Sequence, residues 1–154
     1  MSGVPDVPLD GLYGERIMDH YRNPRNRDQV LDPSLEAEEF NPFCGDRITL
    51  QLGLDGQGKV SLVSAISEGC SIIQATASMM GEALRGKTLT ELEDLSRRFH
   101  SMMRDNQTAD EAVEPMGDLD ALQVVRRYPV RIKCALLPWV ALEEGIRRFR
   151  SPTS

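Results

Sequence analysis

Three cysteines and one aspartate are the side chains of this sequence best suited to metal chemistry. Cys44 and Asp46 are separated by a single glycine, whereas Cys70 and Cys134 each stand far from the other cysteines. All three cysteines fall at predicted junctions between secondary-structure elements, where side chains from distant parts of a fold converge. A single free cysteine is usually a small buried hydrophobic residue, but three cysteines at junctions weaken that interpretation for the set.

Together the four side chains offer a donor set for one metal ion. The glycine between Cys44 and Asp46 lacks a Cβ and permits a tight turn, so the thiolate and the carboxylate can face the same ion. Three thiolates and one carboxylate complete a tetrahedral site, which selects zinc or an iron–sulfur cluster over magnesium or calcium. A lone Cys-x-Asp is weak evidence, because an aspartate before a strand is as often a solvated turn residue. The spacing matches no zinc finger.

Two of the cysteines are predicted at the starts of helices. After Cys70 the apolar residues recur with helical spacing. Pro138 is tolerated only in the first turn of the last helix, which places Cys134 at or just before the N-terminus of that helix. Free amides and the helix dipole stabilise negative charge at such positions. We therefore expect lowered pKa values at both cysteines, which favour the thiolates that metals require.

The segment between Asp46 and Cys70 predicts a β-hairpin. A glycine-rich turn at 55–58 separates two stretches in which apolar residues alternate. The alternating residues are Ile48, Leu50, Leu52 and Leu54 before the turn, and Val60, Leu62 and Ile66 after it. Because a lone hairpin is only marginally stable, Glu36 to Phe40 is predicted as a third strand.

Helical periodicity covers most of the remaining chain. Asp10 is predicted to cap a first helix that ends before Asn23-Pro24, and Thr90 with Glu93 is predicted to form a capping box for a later helix. Further helices are predicted after Cys70 with Gly86 as the C-terminal cap, from Asp118 to a point before Tyr128, and through Trp139 to Phe149. The predicted fold class is α+β, with a small antiparallel three-stranded sheet packed against several helices.

The composition fits one domain that binds neither nucleic acid nor membranes. The 154 residues carry 18 basic and 24 acidic side chains, and this net charge of −6 argues against a nucleic-acid-binding surface. No apolar stretch approaches the length of a membrane span and the first residues contain no apolar h-region, so a cytoplasmic protein is expected. An odd number of cysteines argues against a disulfide framework. We expect a single domain at 10–150, with flexible tails at 1–9 and 151–154.

The two histidines of the chain are not predicted to be metal ligands. His20 lies within the first predicted helix and is expected to pack or to cap. His100 lies near the apolar stripe of a predicted surface helix and is expected to be structural or solvated.

Four segments of the chain resemble the motifs of the U-type iron–sulfur assembly proteins, the family that includes IscU, the NifU N-terminal domain and SufU. They are Leu12 to Asn26, Asn41 to Asp46, Gly69 to Met80 and Arg131 to Ala135, and they occur in the family's order. Two features make the chain similar to the SufU branch. The segment between Cys70 and Cys134 is longer than in scaffold-type members, and Lys133 stands where those members carry a histidine.

The resemblance implies a SufU/IscU-like fold and a zinc-dependent sulfurtransferase. Such a protein takes persulfide sulfur from a SufS-type cysteine desulfurase, a pyridoxal-phosphate enzyme, and serves downstream iron–sulfur assembly proteins. The implied zinc ligands are Cys44, Asp46, Cys70 and Cys134. Among these, Cys44 is implied to be the released thiolate that attacks the persulfide.

Two other functions stay open from the sequence, namely a scaffold on which a [2Fe–2S] cluster is built and a purely structural zinc domain that binds partners. Lys133 in place of a histidine weakens the scaffold interpretation, although a transient cluster in the cell remains compatible with the residues. Arg131 and Lys133 are auxiliary candidates that could offset the negative charge of four anionic ligands. They are about as well explained as solvated basic residues that flank a helix start.

Overall fold

The structure is a computed structural model that describes residues 11–42, 45–104 and 116–150 of the chain. The predicted tails at 1–9 and 151–154, the predicted capping residue Asp10 and the polar stretch at 105–114 lie outside the described residues. In chain order the elements are α1 (Gly11–Arg22), β1 (Leu35–Asn41), β2 (Asp46–Leu54), β3 (Val60–Glu68), α2 (Ser71–Leu84), α3 (Leu89–Arg104), the 3₁₀ helix η1 (Gly117–Arg127) and α4 (Pro129–Phe149).

The three strands form one antiparallel sheet in the order β1-β2-β3. Alternate residues of β2 are buried because one face of the sheet packs on helices: Leu50 lies between Ala37 of β1 and Ala65 of β3. Helix α4 packs against β1 and β2, while α2 packs against β3. The predicted third strand and the predicted α+β fold class are therefore confirmed.

The alternation of β3 differs from the prediction. The pairing register shifts between Gly53 and Leu54, so Leu54 pairs with Val60 whereas Gly53 pairs with Leu62. Such a bulge adds a residue to one strand and moves the following side chains to the opposite face. Leu62 is consequently 52% exposed, and Val63 takes the buried position in its place.

Helix α2 lies at the centre of the helical layer, and most of its residues are buried. It is preceded by Cys70 as the N-cap and followed by Gly86, whose φ of +79° is a conformation that glycine adopts readily at helix ends. Helix α1 packs against α2, and the buried His20 is 2.8 Å from the hydroxyl of Ser78. His20 is thus a packing residue, as expected.

The capping box of α3 lies two residues before the predicted one. The backbone N–H of Glu91 donates to the Thr88 hydroxyl, and the backbone N–H of Thr88 donates to the Glu91 carboxylate. These are the reciprocal bonds of a capping box, and they make Thr88 the residue that precedes the first turn. The prediction of Thr90 and Glu93 was wrong because the same Thr-x-x-Glu spacing occurs twice in this segment.

The start of α4 also differs from the prediction. The helix begins at Pro129, and Pro138 lies in its interior, so Cys134 is inside the helix and not at its N-terminus. Both prolines could occupy the first turn, and Pro129 does so. Pro138 has no N–H to donate to the carbonyl of Cys134, four residues before it, so the helix continues without that hydrogen bond.

Within the described residues, no helix is both long enough and apolar enough to cross a membrane.

We predict that a leucine-to-alanine substitution in β2 lowers stability much more than one in β3. Leu50 is fully buried and Leu62 is half exposed. Leu50→Ala should lower the free energy of unfolding by about 2–5 kcal/mol, and Leu62→Ala by less than about 1 kcal/mol. Urea denaturation of both variants measures this difference. Equal losses would contradict the shifted register of β3.

Candidate metal centre

Three of the four predicted site residues converge at one end of the sheet. Asp46 is the first residue of β2, Cys70 is the N-cap of α2 and Cys134 lies in α4. One carboxylate oxygen and the two sulfurs all lie within 4.8 Å of one another. The fourth predicted residue, Cys44, lies outside the described residues.

The carboxylate of Asp46 is buried beside the start of α2. Its Oδ1 accepts a hydrogen bond from the backbone N–H of Cys70, at 3.3 Å. Its Oδ2 is buried and accepts no hydrogen bond from the residues that the structure describes. A buried oxygen without a donor costs about 1–3 kcal/mol of stability, and a bound cation would offset that cost at Oδ2.

A turn before β2 sets the position of Asp46. The N–H of Gly45 donates to the carbonyl of Asn41 at 2.8 Å, and Gly45 has a φ of +74°. That φ is costly for a residue with a Cβ, and a larger residue would strain the turn. Asn41 then pairs directly with Asp46 across β1 and β2, so the aspartate begins the ladder at the edge of the core.

The pKa of Cys70 is lowered to about 7, in the expected direction but mainly for a different reason. The largest cause is a hydrogen bond from the thiol of Cys134, and the backbone N–H groups of Ile73 and Ile72 add to it. Burial and the negative charge of Asp46 act in the opposite direction. Cys70 is therefore the thiol of the pair that loses its proton first as the pH rises.

Cys134 behaves in the opposite way, which corrects the prediction of a lowered pKa. The hydrogen bond to Cys70 raises the pKa of the Cys134 thiol, and burial and the neighbouring Asp46 carboxylate raise it further. Its place inside α4 removes the free amides that would have stabilised a thiolate. Without a cation, the three acidic groups thus hold a proton on Cys134.

The two auxiliary candidates differ in their surroundings. The guanidinium Nη1 of Arg131 lies 3.9 Å from the sulfur of Cys134, where it can stabilise negative charge on that sulfur. Lys133 is exposed on α4, whereas its neighbour Cys134 faces the core. His100 pairs with Glu143 at 2.9 Å, which agrees with a structural role.

The sequence did not single out Gly69 as part of the site. This residue has a φ of +138°, and its Cα faces the carboxylate of Asp46. A glycine directly before a helix-capping cysteine was the available signal, because a backbone that approaches a side chain closely often requires glycine.

The fold and the cluster define a small α+β domain whose Asp–Cys–Cys group could hold a metal ion. Residues 12–151 match the family described as NifU-like N terminal domain. The chain therefore belongs to this family.

Similar proteins carry names from iron–sulfur cluster assembly. The chain is 46% identical over 140 residues to the zinc-dependent sulfurtransferase SufU of Bacillus subtilis (strain 168), covering 91% of this chain and 92% of that one. It is 34% identical to the iron–sulfur cluster assembly scaffold protein IscU of Streptococcus pyogenes serotype M1, covering 91% and 86%. A crystal structure of a candidate iron–sulfur cluster assembly scaffold protein for the SUF system, from Fervidobacterium islandicum AW-1, superposes with a TM-score of 0.74 at 31% identity, covering 86% and 94%.

We predict that the two described cysteines of the metal-free protein react at very different rates with iodoacetamide. Cys70 should be alkylated with a rate that is half-maximal near pH 7, because its thiolate forms as the pH rises through a pKa of about 7. Cys134 should stay unmodified, since it is buried and its pKa is raised. Peptide mass spectrometry after treatment with a chelator measures both rates. Alkylation of Cys134 as fast as Cys70 would contradict the assigned proton.

Proposed function

We propose that this chain is a zinc-dependent sulfurtransferase that accepts persulfide sulfur from a SufS-type cysteine desulfurase for iron–sulfur cluster assembly. The observation that carries the proposal is the Asp46–Cys70–Cys134 group, in which Asp46 and Cys134 are buried and one carboxylate oxygen has no hydrogen-bond donor among the described residues. The similarity to a protein named zinc-dependent sulfurtransferase supports it.

Zinc fits the donors that the site provides. Sulfur ligands of one tetrahedral zinc ion lie about 3.8 Å apart, given Zn–S bonds of about 2.3 Å, and the three ligand atoms here lie within 4.8 Å of one another. Thiolates favour zinc over hard cations, and the Oδ2 of Asp46, which accepts no hydrogen bond from the described residues, is available to coordinate. Bound zinc would keep the thiolates deprotonated without oxidising them.

Cys44 is the fourth ligand in this proposal. Two peptide units separate it from Asp46, so their Cα atoms are at most about 7.6 Å apart. That covalent limit keeps Cys44 within reach of the other three ligands. Cys70 is the N-cap of α2 and Cys134 lies inside α4, which makes both suited to retain the ion, whereas Cys44 precedes Gly45 in the segment between β1 and β2.

The sulfur transfer is a thiol–disulfide exchange. The thiolate of Cys44 attacks the terminal sulfur of the desulfurase persulfide, and a new S–S bond forms on Cys44. The S–S bond of the desulfurase breaks, and its cysteine leaves as a thiolate. No net oxidation occurs, and no other redox reagent is needed. Asp46, Cys70 and Cys134 hold the site together while Cys44 reacts.

The alternative is a [2Fe–2S] scaffold, which the relatives named as scaffold proteins favour. Scaffold-type members carry a histidine just before the last cysteine, and in this chain Lys133 stands at that position, so a cluster-ligating histidine is missing. Lys133 is also exposed beside Cys134. These properties favour the sulfurtransferase. Under the alternative, the chain would bind a [2Fe–2S] cluster only transiently.

The domain boundaries follow from helix packing. We propose that residues 10–150 form a single domain, since α1 and α4, at the two ends of the described chain, both pack against α2.

The cysteines bear on the compartment. We propose a cytoplasmic location, because a cluster of thiols persists in a reducing compartment and is oxidised elsewhere.

We predict about one zinc ion per chain in the parent protein and a weaker site in Asp46→Ala. Loss of the carboxylate leaves three thiolates, and zinc affinity should fall by at least about tenfold. Competition with a chromophoric chelator measures the affinity. Asp94→Ala is the matched control, because that side chain is half exposed and its ion pairs among the described residues are with Arg97 and Arg98 of α3. Equal zinc affinities of the parent and Asp46→Ala would refute the assigned ligand.

We predict that Cys44→Ala abolishes the stimulation of a SufS-type desulfurase, because no other thiolate is assigned to accept its sulfur. The parent protein should gain about 32 Da, the mass of one sulfur atom, on the peptide that contains Cys44. Alanine release and peptide mass spectrometry provide the two measurements.

The control for this prediction is the far-UV circular dichroism and melting temperature of Cys44→Ala, which should show a folded domain. Stimulation that persists in Cys44→Ala, or an added sulfur on Cys134 of the parent, would contradict the assignment of Cys44 as the acceptor. A parent protein that binds zinc but never stimulates a desulfurase would point to the structural zinc domain.

A further inference from the structure

The carboxylate of Asp46 packs directly against the backbone of Gly69. A Cβ atom built on Gly69 would lie 2.1 Å from Oδ1 and 2.9 Å from Cγ of Asp46. Both separations are shorter than the contacts that real Cβ atoms make, so any side chain at position 69 would displace the carboxylate. Oδ1 can therefore occupy its position only because Gly69 has a hydrogen where other residues have a Cβ.

The backbone at Gly69 is itself held in a conformation that favours glycine. Its φ of +138° is one that residues with a side chain rarely adopt. The carbonyl of Gly69 accepts a hydrogen bond from the side-chain Nε2 of Gln74 at 2.8 Å. The N–H of Gln74 in turn donates to the carbonyl of Cys70 at 3.3 Å. The first turn of α2 thus fixes the peptide against which Asp46 packs.

This arrangement gives the two oxygens of Asp46 different environments. Oδ1 faces Gly69 and accepts the hydrogen bond of the Cys70 N–H, whereas Oδ2 is buried with no donor among the described residues. A carboxylate held in this way offers one oxygen to a ligand and keeps the other on the backbone.

We propose that Gly69 is a positioning residue of the metal centre, which holds Asp46 so that Oδ2 alone binds the metal. The proposal rests on the proposed function, and it extends that function to a residue that bears no donor atom. Gln74 of α2 stabilises this position of Gly69, because its side chain donates a hydrogen bond to the Gly69 carbonyl.

Gly86 provides the matched control for backbone strain. It also has a positive φ, of +79°, but a Cβ built there would meet no atom within 4 Å. Alanine at position 86 therefore adds left-handed strain without touching another side chain. Alanine at position 69 adds strain and displaces Asp46, so only that variant should change the metal site.

The experiment is a titration of the metal-free protein with Co²⁺, whose absorption reports affinity and ligand geometry. Gly69→Ala should weaken Co²⁺ binding by at least about tenfold and alter the d–d bands, whereas Gly86→Ala should leave both nearly unchanged. The same titration in an Asp46→Ala background completes a double-mutant cycle. In that background Gly69→Ala should have no further effect, since the carboxylate that it displaces is gone.

Gln74→Ala is the second variant, and it tests the same role if Gly69→Ala does not fold. It removes the hydrogen bond to the Gly69 carbonyl without adding atoms near Asp46. It should weaken Co²⁺ binding, and the effect should vanish in the Asp46→Ala background. Unchanged affinity in the folded Gly69→Ala or Gln74→Ala variant, or equal losses with and without Asp46, would overturn the positioning role and leave the proposed function standing. A parent protein that binds neither Co²⁺ nor zinc would overturn both.

Discussion

The hydrogen bond from the Cys70 N–H to Asp46 joins the start of β2 to the start of α2, and the site is built around this connection. The register of the hairpin makes it possible, because Arg47 pairs with Glu68 and the next residues, Asp46 and Gly69, meet at the same end. The chain thus returns after 24 residues to the point where β2 began. Helix α4 crosses β1 and β2 and brings Cys134 to the same place.

This arrangement brings three acidic groups, Asp46, Cys70 and Cys134, close together, and their mutual repulsion when ionised lowers the stability of the metal-free fold. Asp46 and Cys134 are almost fully buried, and their proximity keeps a proton on Cys134 when no cation is present. Burial of apolar side chains around the sheet offsets this cost, with Trp139 stacked on Phe99 at 4.9 Å between α3 and α4. A bound cation would replace the proton and convert a destabilising cluster into a stabilising one.

Much of this could be predicted from the sequence, for reasons that particular residues make clear. The change from alternating to helical periodicity after Cys70 identified the helix start, and the alternation before the glycine-rich turn identified β2. Predictions from local sequence patterns were wrong where two positions matched the same pattern equally well. Pro129 and Pro138 both suit a first turn, and Thr88 and Thr90 both precede a glutamate by three residues. A glycine inside a strand can mark a bulge, but the register shift at Gly53 depends on pairing between strands, which the alternation of one strand does not reveal. The contact of Gly69 with Asp46 likewise exists only after the hairpin has formed.

The central claim is a metal site of three cysteine sulfurs and one carboxylate oxygen, and zinc K-edge X-ray absorption tests it most directly. The protein would be purified without added metal, and the ligand shell of the bound ion would be measured. We expect zinc with three sulfur neighbours at about 2.3 Å and one oxygen neighbour at about 2.0–2.2 Å. A shell of four sulfurs, a shell with fewer than three sulfurs, or iron in place of zinc would contradict this account.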